Sequence, residues 1–138
     1  MKRKLNCVLL IDDDQPTNFL HEYVLNKTGC TERIVAKQSG KAALEFLRSV
    51  EDGEHPQPDL IFLDINMPAM NGWEFLIEYE KLAVVQKGRI MVVMLTTSLN
   101  PDDSDNAKKK EYINGFLNKP LTVEMINDLL QKHFSDWV

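Results

Sequence analysis

Five short stretches rich in apolar residues, spaced along the whole chain, restrict the fold more than any other feature. They lie at about residues 6–11, 33–36, 60–63, 90–95 and 113–117, and they alternate with stretches of helical period, weakest after the fourth run. A strand that reads as continuously apolar, rather than alternating, is covered on both faces. Strands that alternate with helices build βαβ units and a parallel sheet. Four of the runs also end on polar landmarks. Asp12-Asp13 follows Val8-Leu9-Leu10-Ile11, Asp64 follows Leu60-Ile61-Phe62-Leu63, Thr96 follows Val92-Val93-Met94-Leu95, and Lys119 comes just after Phe116-Leu117. If the runs are parallel strands, all of these groups leave the same carboxyl edge, where open α/β sheets place their ligands. The predicted fold class is therefore α/β, a five-stranded doubly wound parallel sheet with helices on both faces.

A length of 138 residues fits one domain over 1–138, large enough to bury a core without disulfides or a structural metal. The net charge of -5 argues against general nucleic-acid binding, which needs a basic surface to release counterions from phosphates. Lys108-Lys109-Lys110 follows Asp102, Asp103 and Asp105 and reads as a solvated helix face of mixed charge. Cys7 and Cys30 are read as reduced thiols. The basic start Met1-Lys2-Arg3-Lys4 precedes an apolar stretch that stops at Asp12, too early for a signal peptide or a membrane span. A cytoplasmic protein without membrane contact is expected.

Helix signals fill the spaces between the runs. Asp14 is a cap and Pro16 sits in the first turn of a helix whose buried stripe is expected at Phe19, Leu20, Tyr23 and Val24. Ser39 caps a second helix with Ala43, Leu44, Leu47 and Val50 inward. Residues 51–58, with two prolines and one glycine, form an exposed loop. A third helix from Gly72 buries Phe75, Leu76, Tyr79 and Leu82. The segment 102–111 is the weakest helix, with few apolar residues. Thr122 caps the last one, which buries Ile126, Leu129, Leu130 and Phe134. His21, His55 and His133 lack the spacing of a metal site and are expected as surface or interfacial residues. Trp73 and Trp137 are expected as core or helix anchors, and Met91 and Met94 as core.

Asp12, Asp13 and Asp64 would bring three carboxylates together. At ~4 Å and an effective dielectric of ~20, each ionised pair repels by about 4 kcal/mol, so the cluster calls for a cation. Oxygen ligands with room for water suit Mg²⁺. Lys119 adds an ammonium able to pair with a phosphoryl oxygen, and Thr96 adds a hydroxyl, with Thr97 and Ser98 as neighbouring donors. A carboxylate nucleophile, a divalent cation and donors for equatorial oxygens are the parts of phosphoryl transfer. Asp64 is the best nucleophile, since it stands alone at its strand end while Asp12 and Asp13 are adjacent. Neither a P-loop nor G-x-G-x-x-G is present, so the phosphoryl group comes from another molecule.

Leu10-Ile11-Asp12-Asp13-Asp14, Leu63-Asp64-Ile65-Asn66-Met67-Pro68-Ala69-Met70-Asn71-Gly72, Leu95-Thr96-Thr97-Ser98 and Asn118-Lys119-Pro120 together resemble the receiver domains of two-component response regulators, the CheY-like family. The resemblance covers essentially the whole chain and implies a flavodoxin-like sheet of order 2-1-3-4-5. It implies that Asp64 accepts a phosphoryl group from a histidine kinase or phosphotransfer protein. Asp13 and Asp64 would hold Mg²⁺, Asp12 would assist through water, and Asn66 would offer its backbone carbonyl. Thr96 and Lys119 would hold phosphoryl oxygens, and Asn66 and Ser98 would tune hydrolysis. Phe116 stands where many of these domains carry a tyrosine or other aromatic switch residue, which leaves a packing switch without a phenol. Asn71 replaces the more usual aspartate, with little effect expected on the chemistry.

The expected function is a stand-alone receiver, not an enzyme beyond its own phosphorylation and dephosphorylation. It would change its binding to a downstream protein or to a second copy of itself. A phosphorelay intermediate or a phosphate sink is the alternative. A phosphohydrolase of the haloacid dehalogenase type fits less well, because Asn66 stands where such enzymes usually place a second aspartate and no cap domain is visible. A phosphate-independent binding module would not need so complete a set of site residues.

Overall fold

A computed structural model describes residues 4–87, 91–97, 102, 103, 105 and 113–133. Five parallel strands, β1 (Val8–Ile11), β2 (Ile34–Lys37), β3 (Leu60–Asp64), β4 (Met91–Thr96) and β5 (Ile113–Asn118), lie in the order β2-β1-β3-β4-β5. Among the described residues four helices connect and flank them, α1 (Gln15–Thr28), α2 (Gly40–Arg48), α3 (Gly72–Glu80) and α4 (Val123–His133), with a short 3₁₀ turn at Val84–Gln86. Asp102, Asp103 and Asp105 have helical backbone, and the rest of the expected 102–111 helix lies outside the described residues. So do Trp137 and Phe134.

Successive strand residues point to opposite faces, and this alternation divides the interior into two cores. Leu9, Ile11, Ile61, Leu63, Val92 and Met94 meet Ala43, Leu44 and Leu47 of α2 and Phe75, Leu76 and Tyr79 of α3. Val8, Leu10, Leu60, Phe62, Val93 and Leu95 meet Val24 and Leu25 of α1 and Ile126, Leu129 and Leu130 of α4. Both faces are covered, which is why β1 and β3 read as unbroken apolar runs.

The helix starts follow the sequence. The Asp14 carboxylate accepts from Thr17 N–H at 3.1 Å, the Ser39 hydroxyl from Ala42 N–H at 3.0 Å, and the Thr122 hydroxyl from Met125 N–H at 3.1 Å. Asn71 heads α3 in a reciprocal capping box, its side chain accepting from Glu74 N–H while the Glu74 carboxylate accepts from Asn71 N–H. That local role explains the asparagine without any part in chemistry.

Three expectations need correction. Of the stripe expected on α1 only Val24 is buried; Phe19 is 72% exposed, and Leu20 and Tyr23 also face outward. The inward positions are Asn18, His21, Val24 and Leu25, because two of them are polar groups with partners near the carboxyl edge of the sheet. His21, expected as a surface or interfacial residue, is 1% exposed and so lies inside the fold. Val50 is exposed, since α2 ends at Arg48 and Val50 lies beyond it.

The loop at 51–58 is exposed from Glu51 to Glu54, where it turns back on itself, and half-buried from His55 to Gln57. His55 Nδ1 lies 2.8 Å from Ser49 O. With Asn6 and Val85 the loop lines a groove at the amino edge of the sheet, opposite the landmark residues. Trp73 anchors α3, its Nε1–H donating to the Asp103 carboxylate at 3.0 Å.

Candidate functional site: an acidic pocket at the carboxyl edge

Register brings the landmark residues together. Ile11 pairs with Leu63, so Asp12 and Asp64 leave adjacent strands side by side. Asp64 pairs with Leu95, the residue before Thr96, and Thr96 pairs with Asn118, the residue before Lys119. Neighbouring strands lie about 4.8 Å apart, so groups separated by more than a hundred positions in sequence reach one another here. The chain changes direction across the sheet between β1 and β3, and that crevice is where open α/β sheets receive ligands.

Asp12 and Asp64 are each 3% exposed, and Asp13 is open to solvent. One carboxylate oxygen from each of Asp12, Asp13 and Asp64 lies within 4.8 Å of the others. Lys119 Nζ bridges the two buried members, 2.8 Å from Asp12 Oδ2 and 3.2 Å from Asp64 Oδ1. Asp12 Oδ1 accepts from Asp14 N–H at 3.0 Å, and the Asp12 carbonyl accepts from Asn18 Nδ2 at 2.8 Å. The Lys119 N–H donates to the Thr96 carbonyl at 2.7 Å, and the Lys119–Pro120 peptide is cis. Thr96 is buried at the end of β4.

Burial pushes the Asp64 carboxyl up to about 6. The Asp12 charge adds to the rise, while Lys119 and the Asn66 backbone N–H oppose it. Burial alone would lower the Lys119 ammonium, but its hydrogen bond to Asp12 and the charges of Asp12 and Asp64 outweigh this and leave it raised. Three carboxylates against one ammonium leave a formal excess of two negative charges. The donor set is all oxygen and Asp13 leaves it open to water, which fits a hard divalent cation that retains part of its hydration.

Gly72 shapes the pocket from below. A Cβ there would lie 2.8 Å from Asp64 O and 2.9 Å from Ile65 Cα, so only glycine allows α3 to start this close to the end of β3. The Gly72 N–H donates to Ile65 O at 2.8 Å across that contact. Ala69, with φ of 65°, turns the intervening loop.

Of the expected site residues, Asp12, Asp13, Asp64 and Lys119 form one cluster, with Thr96 at the adjoining strand end. Asn66 is exposed two residues beyond Asp64. Phe116 is half-buried on β5 and packs on the core beneath α2 and α3. Ser98 lies outside the described residues. Sequence reasoning missed Asn18 and His21, polar residues one helical turn apart, whose only signal was that spacing just after the acidic pair.

The sequence profile of the response regulator receiver domain matches residues 8–131. A response regulator, Rcp1 of Synechocystis, is 32% identical over 132 residues, covering 95% of this chain and 88% of that protein. The probable methanogenesis regulatory protein FilR2 of Methanothrix harundinacea is 31% identical over 131 residues, covering 95% of this chain and 83% of that protein. Among solved structures, a two-component response regulator from Cytophaga hutchinsonii superposes with a TM-score of 0.81 at 34% identity, covering 94% of this chain and 97% of that one.

Proposed function

From the premise that the chain belongs to the response regulator receiver domain family, we propose that Asp64 is its phosphoacceptor and that phosphorylation switches binding to a separate protein. Receiver domains are signalling proteins that take a phosphoryl group, and the carrying observation here is the convergence of Asp12, Asp13, Asp64 and Lys119 on one pocket.

The proposed roles follow from each side chain's surroundings. The Asp64 carboxylate is the nucleophile, ionised above about pH 6 and held by the Lys119 ammonium and the Asn66 N–H. Asp13 and Asp64, with Asp12 through water and the Asn66 carbonyl, would hold Mg²⁺. When bound, the ion neutralises charge that builds on the transferring group. Lys119 moves its hydrogen bonds from the carboxylate to a phosphoryl oxygen, and the Thr96 hydroxyl takes another. Asn66, exposed two residues beyond Asp64, and Ser98 are assigned the tuning of hydrolysis, which sets the lifetime of the acyl phosphate. Phe116, on the same strand end as Lys119, is the candidate aromatic whose packing differs between the two states.

The donor is a histidine kinase or a phosphotransfer protein. The listener is a downstream protein or a second copy of the chain, and the compartment is the cytoplasm, where Cys7 and Cys30 stay as the buried free thiols observed. Transfer onward to a second histidine protein would make the same chemistry a relay step.

Acetyl phosphate with Mg²⁺ tests the reading. The intact mass should rise by one phosphoryl group, stable in acid and labile in base. Asp64→Asn should show no rise; modification of that variant at the wild-type rate would reject Asp64 as the acceptor.

A further inference from the structure

His21 is an imidazole inside the helical face of α1, 1% exposed, and the phosphoacceptor mechanism gives it no role. Its Nε2 accepts from the Leu121 backbone N–H at 3.2 Å, a bond that spans 100 positions of sequence. Leu121 is two residues past Lys119. Between them stands Pro120, which has no N–H, so Leu121 is the first backbone donor after Lys119 itself. The three-residue segment bearing the ammonium is thus gripped at both ends, by the Thr96 carbonyl of β4 at 2.7 Å and by the His21 ring of α1.

An imidazole can accept at Nε2 only while neutral, with its proton on Nδ1. Burial supplies that condition, lowering His21 to about 4; the Asp12 charge works the other way and Lys119 adds to the lowering. One turn earlier on the same face, Asn18 Nδ2 holds the Asp12 carbonyl at 2.8 Å. A single face of α1 therefore fixes the backbone on either side of the Lys119–Asp12 ion pair.

We propose that His21 is a positioning residue for the phosphoacceptor chemistry: it fixes the loop between β5 and α4 so that the Lys119 ammonium is preset between Asp12 and Asp64. The inference rests on the acceptor reading above for its kinetic consequence, but not for its geometric one. A histidine kept only for packing would affect stability and nothing else. A positioning histidine acts through Lys119, and any side chain that offers an acceptor to Leu121 N–H can replace it.

The test compares wild type, His21→Leu, His21→Gln, Lys119→Ala and the double variant His21→Leu/Lys119→Ala, at a temperature where circular dichroism shows all five folded. Phosphorylation from acetyl phosphate at saturating Mg²⁺ should slow about tenfold in His21→Leu, since displacement of a reacting group by ~1 Å can cost up to ~100-fold. His21→Gln should recover most of the rate. In the Lys119→Ala background, His21→Leu should add no further slowing. In parallel, the ¹⁵N signal of the Lys119 ammonium should be resolved in wild type and His21→Gln and lost in His21→Leu. A wild-type rate in His21→Leu, or the same slowing with Lys119 already removed, overturns the proposal. If the wild type takes up no phosphoryl group, the acceptor reading fails by itself. The ammonium signal then decides this one, and its persistence in His21→Leu would overturn it.

Discussion

Replacing Asp64 by asparagine should stabilise the metal-free protein at pH 8 even as it removes the acceptor. The carboxyl is 3% exposed and its pKa is raised from 3.8 to about 6. The folded state binds that proton more tightly than the unfolded one. The group's contribution to stability is therefore complete below pH 3.8 and is lost as pH rises through 6. At about 1.4 kcal/mol for each tenfold change in proton affinity, ionised Asp64 costs the fold about 3 kcal/mol at pH 8. Asparagine carries no such cost, but it leaves Lys119 with one carboxylate partner where it had two. The net gain should be on the order of 1–3 kcal/mol. Urea unfolding in EDTA at pH 8 and pH 4 measures it, and the gain should shrink below about 1 kcal/mol at the lower pH. Mg²⁺ at ten times its dissociation constant should stabilise the wild type by about 1.4 kcal/mol and Asp64→Asn by much less. A variant no more stable than wild type at pH 8, or equally stabilised at both pH values, would show that the buried Asp64 charge does not burden the fold.

Gly72→Ala should destabilise by about 1–3 kcal/mol, because the new methyl meets backbone atoms that cannot step aside, and should slow phosphorylation by shifting the strand end that bears Asp64. Urea unfolding and the acetyl phosphate rate check this, and wild-type values for both would contradict it. Lys119→Ala removes the cation that holds the Asp64 carboxyl down, so its titration midpoint should climb above about 6 and the pH dependence of phosphorylation should move to higher pH. Carbon-13 NMR of the Asp64 carboxyl reads the midpoint directly; an unchanged or lower value would remove Lys119 from the pocket's electrostatics. Phosphoryl transfer in that variant should be slowed but still detectable, with phosphate-dependent partner binding largely lost.

Strands and site were legible for the same reason. A parallel strand buried on both faces leaves an apolar run in the sequence, and the first polar residue after it marks the carboxyl edge, as Asp12, Asp64 and Thr96 do. Caps at Asp14, Ser39 and Thr122 were legible because a side-chain oxygen before a helix has one dominant local use. The face of α1 was not. Helical periodicity assumes that inward residues are apolar, and Asn18 and His21 are polar side chains whose partners, the Asp12 carbonyl and the Leu121 N–H, are set only by tertiary structure. Periodicity alone therefore places Phe19 and Tyr23 inward, whereas both face solvent. The tight approach at Gly72 was equally invisible, since what a glycine leaves room for depends on the strand beneath it.

Residues from separate loops act here through one cation-dependent acceptor pocket in the proposed mechanism. Its most direct test is the rate of phosphoryl incorporation from acetyl phosphate as a function of free Mg²⁺ in wild type and Asp13→Asn. The expected result is a saturable dependence with one half-saturation point, moved at least about tenfold higher by loss of the Asp13 carboxylate. A rate independent of Mg²⁺, or a dependence identical in the two proteins, would contradict it.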